Sequence, residues 1–328
     1  MTPDNKYLPG KHARAQWMRM DAAQILKRFF FLERAMVVAQ SGWVAGIGPV
    51  HIKTGLPEMA WQDAKTGNEL RDRVFELRYP SHLMEIGDDS ALVSLFQMAI
   101  DAPNALAFLI GLRSVYKPAM LKAYQEYVAT TDAIADGPTL RFLNLAVNEK
   151  QAQIQQLSAW IDQFSANFSE EQIRVAGEWA AALEEHLNAL GGVSLQRLPE
   201  SATLGNIPHA LPFKLAQEPA RDERFHLVRF YWPDIVDPDY PYGEGHKLQL
   251  RGAISHFNEV WAVETAGAIL HAFADELGWE FIYDASRWAY DEARHTMMGL
   301  NRLENWGFSP EEIPLGSYIY DSAKGENP

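Results

Sequence analysis

Apolar and polar positions follow a 3.6-residue rhythm along most of this chain, so its elements read as helices. Over about residues 14–42, Ile25, Leu26, Phe29, Phe30, Met36 and Val37 recur on neighbouring turns, and Gly42, Gly46, Gly48 and Pro49 close the run. A loop rich in glycine and proline leads to a second helix over about 57–78, ended by Tyr79-Pro80. Residues 88–190 read as a helical insert. Within it Pro118 separates two helices and Asp136-Gly137-Pro138 marks a turn. Ser169-Glu170-Glu171-Gln172 has the form of a capping box, and Gly191-Gly192 a stop. Residues 193–250 lose the rhythm and gain prolines and aromatics. This long connection reads as ordered, because side chains such as Phe230, Tyr231 and Trp232 need a surface to pack on. Two last helices, about 252–276 and 279–306, meet at Leu277-Gly278 and stop at Gly307, and Ser309-Pro310-Glu311-Glu312 starts a short turn. No strand pair stands out. The expected fold is all-α: one elaborated domain over 1–328, with two helices, an insert, a proline-rich connection and two helices.

Acids interrupt the apolar stripes. Glu33 sits between Phe30 and Val37, Asp63 near Met59, Ala60 and Leu70, and Glu264 between Trp261 and Ala268. Glu292 and His295 are three apart, so they share a helix face with Trp288 and Gly299, a face that reads as buried. A buried carboxylate is costly unless it takes a proton or a cation. The two ends of the chain also echo each other. Glu264 precedes Glu292-Ala293-Arg294-His295 by 28 residues, and Glu33 precedes Asp63-Ala64-Lys65-Thr66 by 30. A cation shared by the group would answer the burial problem, and carboxylates with one imidazole suit iron or manganese.

At these residues the chain resembles the ferritin-like di-iron carboxylate superfamily, whose pattern is a Glu and, about thirty residues on, Glu-x-x-His, given twice. The resemblance covers about 120 residues in two pieces. It implies an antiparallel four-helix bundle with a two-metal site that activates oxygen. Carried over residue by residue, the metal ligands are Glu33, Asp63, Glu264, Glu292 and His295. Thr66 stands where the family has histidine, so one ion, or a pair with water in place of the lost imidazole, both fit. Glu259, with His256 one turn before it, is the alternative to Glu264; the internal repeat favours Glu264. His271 shares the Glu264 face and reads as a core histidine. Glu149 begins a weaker acid-x-x step inside the insert, and Glu223-Arg224-Phe225-His226 reads as a chance match in the connection.

Composition narrows the function. The 328 residues are 47% hydrophobic and carry a formal charge of −14, which argues against nucleic acid or an anionic membrane surface as partner. With no cysteine, thiolate zinc and iron–sulfur sites are excluded. No apolar run reaches a membrane span and the first residues lack a secretory pattern, so a cytoplasmic protein is expected. Arg71, Arg73 and Arg78 are interleaved with acids and read as a solvated face. Tyr240 and Tyr242, with the aromatic run at 230–232, read as a cover for the bundle, and Tyr318, Tyr320 and Asp321 as a tail that could return over the site. The expected function is a non-haem iron or manganese oxidase or hydroxylase, with one or two metal ions, acting on a small organic molecule with O2. The alternative is a decayed, metal-free bundle kept as a binding or structural module, with a homodimer left open.

Overall fold

The computed structural model describes residues 16–198, 203–228, 239 and 243–323. The aromatic run at 230–232 and the Tyr240–Tyr242 segment lie outside these residues, as do the first two positions of the expected opening helix.

The molecule is mostly helical. Helix α1 (Arg19–Trp43) and helix α2 (Val50–Arg78) pack along each other. α2 starts seven residues before the expected position, because Pro57 lies inside it rather than at its first turn. Proline there only removes one ladder bond, and the packing of Ile52, Leu56 and Met59 holds the helix through it. The insert comprises α3 (Ser90–Gln97), α4 (Ala105–Gly111), α5 (Lys117–Thr130), α6 (Gly137–Phe164) and α7 (Glu170–Ala189). A π-helical turn over Leu112–Tyr116 carries α4 into α5. The capping box at Ser169 and Gln172 forms as the sequence indicates.

The last helices differ from expectation in their breaks. Helix α8 (His246–Asn258) gives way at Glu259 to α9 (Val260–Asn305), and α9 folds into two arms at Gly278, whose φ of 80° and ψ of −166° are not helical. Glycine tolerates that conformation, and a Cβ there would meet nothing within 4 Å. Both α1 and α2 pack against α9. Gly267 of the first arm comes so close to α1 that a Cβ would meet the Ser41 carbonyl at 2.5 Å. On the second arm, Gly299 would place a Cβ 2.2 Å from the backbone nitrogen of Phe257 in α8. Helices α1 and α2 therefore lie between the insert on one side and α9 on the other, and both of their broad faces are buried.

The connection is tied down where it is described. Strand β1 (His226–Leu227) pairs in parallel with β2 (Pro314–Leu315), a two-residue pairing too short to show in sequence. Asn258 fixes the return segment, donating to the Pro314 carbonyl at 2.9 Å and accepting from Gly316 N at 2.8 Å. Helix α10 (Tyr318–Ala323) follows, and Tyr320 donates to the Ala216 carbonyl at 2.6 Å. Arg28 anchors the insert to α1 through a buried pair with Asp89 at 2.7 Å and the Gln196 carbonyl at 2.8 Å. Arg71 pairs with Glu280 at 2.5 Å, but Arg73 is not on a solvated face: it pairs with Glu76 at 2.8 Å and turns inward to the buried Asp136 and Thr139, both at 3.0 Å. No helix among the described residues is long and apolar enough to cross a membrane.

Candidate functional site

The acids expected to share one site are distributed over three places. Glu33 and Asp63, 0% and 1% exposed, face the insert rather than α9. Lys150 of α6 lies between them, Nζ 2.8 Å from the Glu33 carboxylate and 2.5 Å from Asp63 Oδ1. Lys117 of α5 pairs with the other Asp63 oxygen. Tyr124 donates to Glu33 at 2.5 Å, and Gln40 and Gln153 donate to Asp63 at 2.7 and 3.1 Å. Four helices thus supply two carboxylates and two ammonium groups to one buried, charge-balanced cluster.

The electrostatics follow from this closure. Burial pushes Asp63 upward, but Lys117 and Lys150 outweigh it and hold the carboxyl down at about 2. Burial pushes Glu33 upward, against the pull of Lys150. Burial lowers Lys117 to about 8, with Asp63 opposing. Glu149, half-buried beside the cluster, is pushed up to about 7 by burial and by the Asp63 charge.

Glu264 belongs to a second place. It is fully buried and pairs with Lys53 of α2 and with Arg221 of the connection. Lys53 also donates to the Ala220 carbonyl at 2.6 Å. Positions 53 and 63 lie on different faces of α2, so the acid of α9 and the acid of α2 are answered by different cations. Tyr320 sits near this pair, its hydroxyl raised first by burial and then by Glu264. His271 packs its ring edge-on against Phe213, centroids 4.9 Å apart, as a core histidine does.

Glu292 and His295 occupy a third place, together with Glu259 rather than Glu264. His295 Nδ1 lies 2.8 Å from Glu259 and 3.4 Å from Glu292. The ligand atoms of the three lie within 4.8 Å of one another, a convergence that no other group of three such side chains reaches among the described residues. The His256 ring is 6.2 Å from that of His295 and nearly parallel to it. This face is not buried as expected: Trp288 is 39% exposed and His295 47%. Trp288 is held outward by its bond to Glu292 at 2.9 Å, while Ala289, Ala293 and Thr296 take the inner face. The Glu223–His226 match has no such company: His226 is an exposed strand residue.

The two metal possibilities fare differently. At Glu33 and Asp63 the ammonium groups already occupy the cation positions, so the residues present do not fit a metal pair. Two carboxylates and one imidazole at Glu259, Glu292 and His295 do fit one hard or borderline ion.

Sequence reasoning missed Lys150, Gln153, Lys117 and Tyr124. Lys150 and Gln153 interrupt the stripe Leu143, Ala146, Leu157, Trp160, Phe164 on α6, so both had to be inside; that was the available signal. Gln153 also lines a cleft of about 550 Å³ between α2, α6 and the second arm of α9, with His51, Met59, Trp160, Tyr290 and Met297. None of the protein families, curated proteins or solved structures compared with the chain matches it.

Proposed function

We propose that this chain is a ferritin-like helical bundle whose core acids are neutralised by lysines, and that it works as a small-molecule binding module rather than a two-metal oxidase. One observation carries the reading: Lys150 contacts both Glu33 and Asp63 while Lys117 covers the remaining Asp63 oxygen. A divalent ion placed among these carboxylates would face two ammonium groups at close range in a poorly screened interior. The cleft beside the cluster supplies the place for a ligand.

The test is elemental analysis of His295→Ala protein, purified without chelator or affinity metal and then loaded anaerobically with ferrous iron. The binding-module reading expects no stoichiometric iron or manganese in that variant. One or two equivalents retained there, and lost on Glu33→Gln, would overturn it.

A second reading rests on the surface triad. Glu259, Glu292 and His295 offer three ligands and a solvent-facing side, which leaves positions for water, oxygen or substrate. It supports a single iron or manganese ion and keeps a metal-dependent oxidase in view. One equivalent bound by the wild type and absent from His295→Ala would favour it.

A further inference from the structure

Gln153 is 3% exposed, and its amide can face only one way. Its Nε2 points at two acceptors, Asp63 Oδ1 at 3.1 Å and Gln62 Oε1 at 2.8 Å. Asp63 is an ionised carboxylate with four N–H contacts, supplied by Lys117, Lys150, Gln40 and this amide, so it has no proton to give. Turning the amide over would set oxygen against oxygen. Oε1 is therefore fixed as an acceptor on the cleft side chain, and among the described residues it has no donor. His51 Nε2, in the same cleft, is also buried without a partner among the described residues. Buried polar groups are almost always hydrogen-bonded, so each exception asks for a missing partner.

The remaining walls are mostly apolar and aromatic, with Thr54, Glu58, Gln62, Gln156 and Arg294 as their polar part. Trp160 presses onto the backbone of α2 at Gly55, where a Cβ would lie 2.4 Å from the indole. Met59, Tyr290 and Met297 add to this apolar surface. The methionine and aromatic part of the wall favours a flat aromatic guest.

We propose that this cleft binds a flat aromatic molecule carrying a hydroxyl or ring N–H, with that donor on Gln153 Oε1 and the ring against Trp160, Met59 and Met297. The assignment deepens the binding-module reading and rests on it. Because Gln153 also holds Asp63, the guest sits one hydrogen bond away from the ion cluster.

The experiment is calorimetric titration of the full chain with 2-naphthol and with naphthalene, which lacks the donor. The expected result is 2-naphthol binding at least about tenfold tighter, a difference near 1.4 kcal/mol. Gln153→Met should erase that preference. Ala152→Phe, at an exposed cleft position, should abolish binding of both probes without lowering the melting temperature. No saturable binding of 2-naphthol below about 1 mM, or equal affinity for the two probes, would overturn the proposal and leave the carbonyl to water. An iron-free core with no naphthol binding would defeat the cleft assignment alone, whereas iron held at Glu33 would defeat the binding-module reading whatever the cleft does.

Discussion

Lys150 of α6 meets Asp63 of α2 in the buried middle of the molecule, Nζ to Oδ1 at 2.5 Å, and neither side chain is more than 2% exposed. The same ammonium group serves Glu33 of α1. An apolar interior makes each of these charges costly alone and tolerable together, so the cluster stands or falls as a unit.

Lys150→Met strands two carboxylates against Lys117 alone. The expected loss is about 3–5 kcal/mol of stability, read from the urea midpoint at unchanged slope. Adding Glu33→Gln to that variant should recover part of the loss, since one buried charge is then removed. A single-variant loss below about 1 kcal/mol would show that the cluster is open to water.

Glu149 gives the protein a pH dependence near neutrality. It faces Asp63 from α2, Glu33 from α1, Lys117 from α5 and its neighbour Lys150, and its carboxyl is raised from the ordinary 4.5 to about 7. The folded state therefore holds this proton more tightly than the unfolded chain does. The stability it contributes is complete below the unfolded value and is lost as pH rises through about 7. Glu149→Gln should flatten the fall in melting temperature between about pH 5 and pH 8 relative to the parent. Parallel curves for the two proteins would refute the assignment.

The surface triad predicts a specific pattern of metal loss. In manganese titrations followed by electron paramagnetic resonance, His295→Ala and Glu259→Gln should weaken binding by about tenfold or more. Glu264→Gln and His226→Ala should leave the affinity where it was, because neither residue joins the triad. Equal losses in all four variants would point to general unfolding instead.

Gly299 is a point of close backbone approach between α8 and the second arm of α9. A Cβ there would lie 2.2 Å from Phe257 N and 2.5 Å from the Ala253 carbonyl. Backbone cannot yield as a side-chain tip can, so Gly299→Ala should cost about 1–3 kcal/mol in denaturant melts. The same change displaces Glu259, which directly follows α8, so any manganese affinity should fall with it. Unchanged stability would mean that the two helices separate freely.

Much of the scaffold was legible from periodicity, and so was the burial of Glu33, Asp63 and Glu264. The helical rhythm and the stops at Gly278 and Gly307 are local signals, carried by neighbouring residues. The identity of the cations answering the buried acids is not local. Lys117 and Lys150 stand 54 and 87 positions from Asp63, and a lysine within a helix reads as a solvated stem unless its stripe is followed residue by residue. The echo between the two ends of the chain placed Glu264 with Glu33, yet nothing in a one-dimensional pattern says which of two buried faces an acid points to. Helices buried on both sides remove the rule that an inward face is a single face. Glu259 was separable from Glu264 only once the break between α8 and α9 turned it toward His295.

The charged cluster also acts as a register check on assembly. Its members come from four helices, at positions 33, 63, 117 and 150, and three ion pairs, Glu33–Lys150, Asp63–Lys150 and Asp63–Lys117, close at hydrogen-bond distance. Sliding any one helix by a turn, about 5.4 Å, would leave greasy contacts almost as good as before but would strand a charge in the interior. Apolar stripes alone grade such near-misses gently. The lysines make them all-or-none, so the helices have one admissible alignment, and a chain that settles into any other keeps a fault it cannot hide.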